Sequence, residues 1–223
     1  MFITVCGQKG GVAKTCTSIH LASVWHSEGK KVCIVDADKN RSALAYSTRG
    51  NLPFPVFPVS AAAKASRSSE IVITDGQASS DQEELEHLAY GSDLVILPTI
   101  AKARSIELTV ELASLLSNLK VNHAVMIVKV DFRQQKAAQQ AKAALENVGL
   151  HVFNTFIPLL SAFDKAEASG KAVFEAVDDL GRSDPRRMTG WSAYCSIASQ
   201  IPCLISKPSS DTNNSNNQQI ISA

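Results

Sequence analysis

The chain has 223 residues, 45% of them hydrophobic and 19% charged, which is enough apolar content to bury one substantial core and an ordinary length for a single α/β domain. A formal net charge of +1 argues against a uniformly basic nucleic-acid protein, though a local patch of Lys and Arg could still bind phosphates. The five cysteines (Cys6, Cys16, Cys33, Cys195, Cys203) make an odd count without a C-x-x-C pair, so reduced core thiols are expected in place of a disulfide framework or a cysteine zinc site.

The first predicted strand, Phe2 to Cys6, begins without the basic leader and long apolar stretch of a signal peptide. No run approaches the length of a membrane span, and a cytoplasmic location is expected. A glycine-rich loop leads into a helix over Lys14 to Glu28, with Gly29 where the helix ends. A strand over Lys31 to Val35 follows, then two aspartates and a short helix over Arg41 to Tyr46. The stretch from Asn51 to Ser60 carries three prolines and reads as irregular, with a short strand at Val56 to Val59 at most. Strands over Ile71 to Thr74, Leu94 to Leu97, His123 to Val130 and His151 to Phe156 are short, apolar and rich in β-branched residues, as buried parallel strands are. Between them lie helical patterns over Gln82 to Tyr90, Ser105 to Leu119 and Arg133 to Val148, the last closed by Gly149. Such alternation implies right-handed crossovers and an α/β fold, a doubly wound, mostly parallel sheet flanked by helices, with ligands at the carboxyl ends of the strands. No internal repeat is present. From Ser206 the chain turns to Ser, Asn and Gln, which bury too little apolar area to offset chain entropy. A single domain over 1–205 and a disordered polar tail over 206–223 are expected.

The segment Gly7-Gln8-Lys9-Gly10-Gly11-Val12-Ala13-Lys14-Thr15 lies between a strand and a helix, the context that a phosphate-binding loop requires. Backbone amides of Gly10, Gly11, Val12, Ala13 and Lys14 can turn inward around phosphate oxygens, helped by the positive end of the helix dipole. Lys14 supplies a point charge to the β and γ phosphates, and the Thr15 hydroxyl can ligate magnesium. Two carboxylates, Asp36 and Asp38, stand one residue apart at the end of the second strand, where core packing does not explain them. The alternative for Asp38 is a cap on the following short helix. Asp75 ends the apolar strand Ile71 to Thr74 in the manner of a Walker B carboxylate, with Gly76 free to swing the chain toward a γ-phosphate; a turn aspartate is the alternative.

Lys9-Gly10-Gly11-Val12-Ala13-Lys14-Thr15 resembles the deviant Walker A motif, K-G-G-x-x-K-T, of the ParA/MinD superfamily of ATPases. The three motifs occur in family order, and Pro98-Thr99, Ile157-Pro158, Ala162-Phe163 and Val173-Phe174-Glu175 extend the similarity across nearly the whole folded region. The resemblance implies the P-loop NTPase fold, ATP and Mg2+ as cofactors, and a dimer in which Lys9 reaches the phosphates bound by the other subunit. It implies catalytic roles for Lys9, Lys14 and Asp38, with Asp38 positioning the attacking water. Thr15, Asp36 and Asp75 would serve the metal, and Cys16, Ile157 and Pro158 would join residues 10–15 in holding the nucleotide. Two departures matter. Ala13 stands where the family usually has glycine, so a Cβ occupies a position that prefers positive φ and slow turnover is expected. Leu159 and Leu160 stand where relatives often carry arginine.

Within the superfamily, the uncharged polar tail lacks the apolar stripe of a membrane-binding helix, so no membrane partner is expected. No cysteine lies between Cys33 and Cys195, which disfavours the iron-sulfur relatives. What remains is similar to the ParA branch, its small partition ATPases and its carboxysome-positioning ATPases. This implies ATP-dependent homodimers on nucleoid DNA, bound without sequence preference, and a small adaptor protein that stimulates hydrolysis. A carboxysome is the favoured cargo, with a plasmid or chromosome next. Arg133, Lys136, Lys142, Arg182, Arg186 and Arg187 are candidate phosphate contacts, with a solvated charged face as the alternative. A nucleotide-gated DNA-binding module with negligible hydrolysis and a P-loop metabolite kinase or ligase remain open at this stage.

Overall fold

The computed structural model describes residues 1–77, 82–178 and 180–206, so the expected polar tail lies outside the described residues apart from Ser206. Six parallel strands form one sheet: β1 (Phe2–Val5), β2 (Val32–Asp36), β3 (Val56–Pro58), β4 (Ile71–Asp75), β5 (Leu94–Thr99) and β6 (His123–Ile127), in the order β3-β2-β4-β1-β5-β6. The described helices are α1 (Lys14–Ser27), α2 (Ser42–Thr48), α3 (Ala62–Ser68), α4 (Gln82–Tyr90), α5 (Ala103–Asn118), α6 (Gln135–Asn147), α7 (Ser161–Ser169) and α8 (Arg187–Ile205). None of them is long and apolar enough to cross a membrane.

Alternate residues of each strand feed the two layers. Ile3, Val5, Ile34, Ile73, Leu94 and Ile96 pack with α1 and α8 on one face, whereas Val95, Leu97, Val125 and Ile127 pack with α5 and α6 on the other. Because both faces are covered, the strands are apolar throughout and lack the alternation of a half-exposed sheet. The register sets the ends of the central strands level, with Val5 beside Asp75 and Asp75 beside Asp36. The loop after β1 therefore emerges next to two strand-terminal carboxylates.

The expected strand over 151–156 is not formed. Val152 makes only an isolated bridge to Val125, with Phe153 N–H donating to the Val125 carbonyl. The next amide, Asn154, donates instead to the Gln200 side chain on α8, at 3.0 Å, which takes the chain off the sheet edge. Val152, Phe153 and Ile157 are apolar because all three are buried, not because the segment is a full strand. The expected strand over 123–130 likewise ends early, at Ile127, and Lys129 adopts φ +56° two residues later.

Helix α1 is buried along most of its length, and its polar side chains are satisfied in place. His20, fully buried between α1 and α8, stacks on Tyr194 at 5.0 Å and meets the edge of Phe163 at 5.2 Å. Its Nε2 accepts from Val173 N–H at 3.1 Å, so Nδ1 carries the proton and donates to the Cys16 carbonyl at 2.6 Å. Burial holds the imidazole neutral, lowering its pKa from 6.5 to about 4. Between those values the unfolded chain binds the extra proton, so this residue's contribution to stability is present above pH 6.5 and is lost as pH falls through about 4. The loss amounts to about 3 kcal/mol. Asp75, whose pKa burial raises from 3.8 to about 7, gives the opposite slope in the metal-free protein. Between pH 4.5 and 6.5 the two slopes oppose each other and nearly cancel, so urea unfolding of His20→Gln should turn a nearly level profile into a fall in stability with rising pH; an unchanged profile would remove His20 from this account.

Candidate functional site

The loop after β1 is shaped by two left-handed residues. Gly11 has φ +77° and Ala13, immediately before α1, has φ +60° and ψ +32°. Glycine adopts this conformation freely, whereas alanine is strained there by about 1–2 kcal/mol. Ala13 nonetheless opens α1, its carbonyl accepting from Thr17 N–H at 2.9 Å. No side chain caps the helix. An uncapped helix start below a glycine loop presents backbone N–H groups and positive potential to an anion.

Lys14 stands in the first turn with only 8% of its surface exposed. Its ammonium donates to the Lys9 carbonyl at 3.2 Å, and no carboxylate lies within ion-pair distance among the described residues. Burial lowers its pKa, opposed by attraction to Asp75 and Asp38. A cation so placed gains most from an anionic ligand.

Asp75 is fully buried and its two oxygens are divided between neighbours: Oδ2 accepts from Thr15 Oγ1 at 2.7 Å and Oδ1 from Ser18 Oγ at 2.9 Å. Desolvation dominates its raised pKa, with the two hydroxyls and Lys14 pulling the other way and Asp36 adding to the rise. At Gly76 an added Cβ would lie 3.0 Å from the Val5 carbonyl oxygen and 3.1 Å from Cys6 Cβ, so the chain after Asp75 passes tightly over the end of β1.

Asp36, not Asp38, caps the following helix. Its Oδ2 accepts from Leu44 N–H at 2.8 Å and its Oδ1 from Asp38 N–H at 3.0 Å. Asp38 instead accepts from Asn40 N–H at 2.9 Å in a local turn, half-buried. The capping alternative is thus corrected in its residue: α2 begins six positions beyond Asp36, whose reach to Leu44 is set by Arg41 at φ +52°.

These elements border one cavity of about 440 Å3. Gly10, Gly11, Ala13, Lys14, Thr15 and Cys16 line it from the loop and the start of α1, Asp38 from the segment after β2, and Ile157 and Pro158 from the segment before α7. Lys9, Val12, Asp36 and Asp75 are not among the lining residues. Val12 is buried, and Lys9 is half-buried beside Gln8, Pro98 and Ser105 in a crevice behind the loop. Sequence reasoning did not single out Tyr46, Lys129, Asp164 or Glu167, and it named Phe163 only within the family similarity and not as a site residue; all five line the cavity. The i, i+3 spacing of Asp164 and Glu167 on α7 was the one available signal.

The donor set suits a hard divalent cation. Thr15, Asp36 and Asp75 offer only oxygen. Among the described residues no three His, Cys, Asp or Glu side chains converge tightly enough to hold a metal unaided. Such a site fits Mg2+, which commonly takes one or two carboxylates and completes its shell with phosphate oxygens and water. The basic candidates are partly engaged elsewhere: Lys142 pairs with Glu146, Arg182 with Asp178, and Arg187 donates to the carbonyls of Phe174 and Asp184. Lys136 and Arg186 are exposed without an ion pair among the described residues.

A model of the CobQ/CobB/MinD/ParA nucleotide binding domain matches residues 3–173. Maintenance of carboxysome distribution protein A of Gloeobacter kilaueensis is 29% identical over 184 residues, 78% of this chain and 83% of that protein. Among solved structures, the MinD cell division protein of Aquifex aeolicus matches with a TM-score of 0.71 at 14% identity, over 91% of this chain and 97% of that one. The ATP complex of a Cyanothece McdA variant matches with a TM-score of 0.63 at 15% identity, over 92% and 95%. At these identities the structural matches establish a common fold.

Replacing Ala13 by glycine should raise stability, since the strain relieved, about 1–2 kcal/mol, exceeds the added freedom of the unfolded chain, about 0.4–1 kcal/mol. Chemical denaturation measures it, and a destabilised Ala13→Gly variant would show that the left-handed backbone carries no strain.

Proposed function

Given that the chain belongs to the CobQ/CobB/MinD/ParA nucleotide-binding domain family, we propose that it is an ATP hydrolase of the ParA type that dimerises around ATP, binds DNA without sequence preference and positions a cargo. The observation that carries this reading is Lys14, buried without an anionic partner beside a cavity whose rim is a glycine loop and an uncapped helix start. In this reading the triphosphate lies along Gly10 to Thr15 and the nucleobase end toward Ile157 and Pro158, with Cys16 between them. Lys14 stabilises charge on the transferred phosphoryl group, and Asp38, at the cavity wall, orients the attacking water. Bound Mg2+, held by Thr15, Asp36 and Asp75, would neutralise charge on the β and γ phosphates. Lys9 does not line its own subunit's cavity, which suits a role toward a second subunit.

A carboxysome is the favoured cargo, supported by the Gloeobacter relative, with a plasmid or chromosome as the alternative. A small adaptor that stimulates hydrolysis would complete the cycle. Exposed Lys136 and Arg186 are the candidates freest to contact phosphates, and binding through them weakens steeply with salt. A nucleotide-gated module with negligible hydrolysis is the second reading, favoured by the strained backbone at Ala13; turnover measured with DNA and adaptor present separates the two.

Light scattering with a non-hydrolysable ATP analogue and with ADP tests the dimer: the mass should double only with the analogue, and Lys9→Ala should stay monomeric in both. Asp38→Ala should bind ATP normally while hydrolysis falls by about 100-fold or more. Wild-type hydrolysis by Asp38→Ala would remove that residue from the chemistry.

A further inference from the structure

Helix α7 forms one wall of the cavity through Phe163, Asp164 and Glu167, and its C-terminal end is fastened to the C-terminal end of α2. Three contacts make the fastening. The Tyr46 hydroxyl donates to the Lys171 carbonyl at 2.8 Å, with the ring 2% exposed. Arg49 pairs with Glu167 at 3.1 Å and also donates to the Glu167 carbonyl at 3.4 Å. Gly50 and Gly170 meet backbone to backbone: a Cβ on Gly50 would fall 2.2 Å from the Ser169 carbonyl oxygen, and one on Gly170 would fall 2.3 Å from Gly50 N. No residue larger than glycine permits that approach.

The other end of α2 is hung on Asp36, which accepts from Leu44 N–H. Helix α2 is only seven residues long, so it moves as a unit between these attachments. At its opposite end α7 bears Phe163, which meets the ring edges of His20 at 5.2 Å and Tyr194 at 5.8 Å, and Phe163 and Trp191 pack in the same apolar cluster. A continuous chain of packed groups therefore runs from the strand-end carboxylates through α2 to the cavity wall.

We propose that Tyr46 is a positioning residue of the nucleotide site, acting through α7: it holds that wall against α2, so that nucleotide at the Asp36–Asp38 end draws α7 into its bound position. This rests on the reading of the cavity as an ATP site. The side chain is buried in the main apolar core and borders the cavity, and the hydroxyl ties α2 to the turn after α7 by its bond to the Lys171 carbonyl.

Trp191 reports on the wall, and with Trp25 replaced by phenylalanine it is the sole tryptophan of the chain. In that background, bound ATP is measured by equilibrium dialysis and Trp191 emission is recorded on the same samples. Emission should change in proportion to bound ATP. Tyr46→Phe should weaken ATP binding about fivefold and should reduce the emission change per bound ATP to less than half. Arg49→Ala, at an exposed pair, should give a smaller change of the same kind, and it replaces Tyr46→Phe if urea unfolding shows that variant not to fold. A full emission change per bound ATP in the variants, or the absence of any change in the parent while ATP is bound, overturns the proposal. Absence of ATP binding in the parent overturns the nucleotide reading and this inference together, and the dialysis distinguishes that result from the other two.

Discussion

A carboxylate buried at the end of β4 holds the site together. Asp75 joins the sheet to the first turn of α1 by accepting from Thr15 and Ser18, and it adjoins Asp36 in the sheet register. An ionised carboxyl group without water is costly unless hydrogen-bonded and accompanied by positive charge. Two hydroxyls and the neighbouring Lys14 meet part of that need, yet burial still holds the carboxyl group's pKa above its ordinary value. The remaining deficit is what a divalent cation would relieve.

The same logic runs through the surrounding loop. Lys14 is desolvated and bonded to a carbonyl, α1 starts without a side-chain cap, and Ala13 is held in a left-handed conformation. Each is unfavourable for a protein without ligand, and each becomes favourable or tolerable with a polyanion in the cavity. Arg41 and Lys129 also have positive φ, so the segments after β1, β2 and β6 that approach the cavity all carry a non-glycine residue in this conformation. Strain persists where packing over-determines the backbone, and here the packing is that of a sheet covered on both faces.

Family membership and geometry converge on nucleotide binding, and the chain departs from the family pattern both in the phosphate loop, at Ala13, and away from it, at Leu159 and Leu160. Leu159 is exposed at the cavity rim, and Asp164 and Glu167 place carboxylates on the wall formed by α7. Arg49 offsets the Glu167 charge and Lys129 also lines the cavity, so charges of both signs border it, whereas the α1 side presents Lys14 and the loop amides. The clasp of α2 on α7 links the α7 wall to the segment after β2.

The alternation of β1, β2, β4, β5 and β6 with α1, α4, α5 and α6, the phosphate loop at Gly7 to Thr15 and the carboxylates closing β2 and β4 were legible in the sequence, because apolar periodicity and glycine-lysine spacing are local properties of the chain, whereas α3, α7 and α8 were not anticipated. Even the left-handed backbone at Ala13 could be anticipated from the motif. Contacts between distant segments could not. The segment 151–156 has the composition of a strand, yet it leaves the sheet edge when Gln200, from α8, takes the Asn154 amide. Asp36 caps α2 in place of Asp38, because Arg41 turns the chain back toward the earlier carboxylate. Tyr46, Lys129 and Phe163 reach the cavity from three elements with no shared sequence signal. Sequence therefore determined which segments could make a phosphate site, since each motif depends on neighbours in the chain. Tertiary structure decided the shape of the cavity, because its walls depend on how far apart packed helices and loops come to rest.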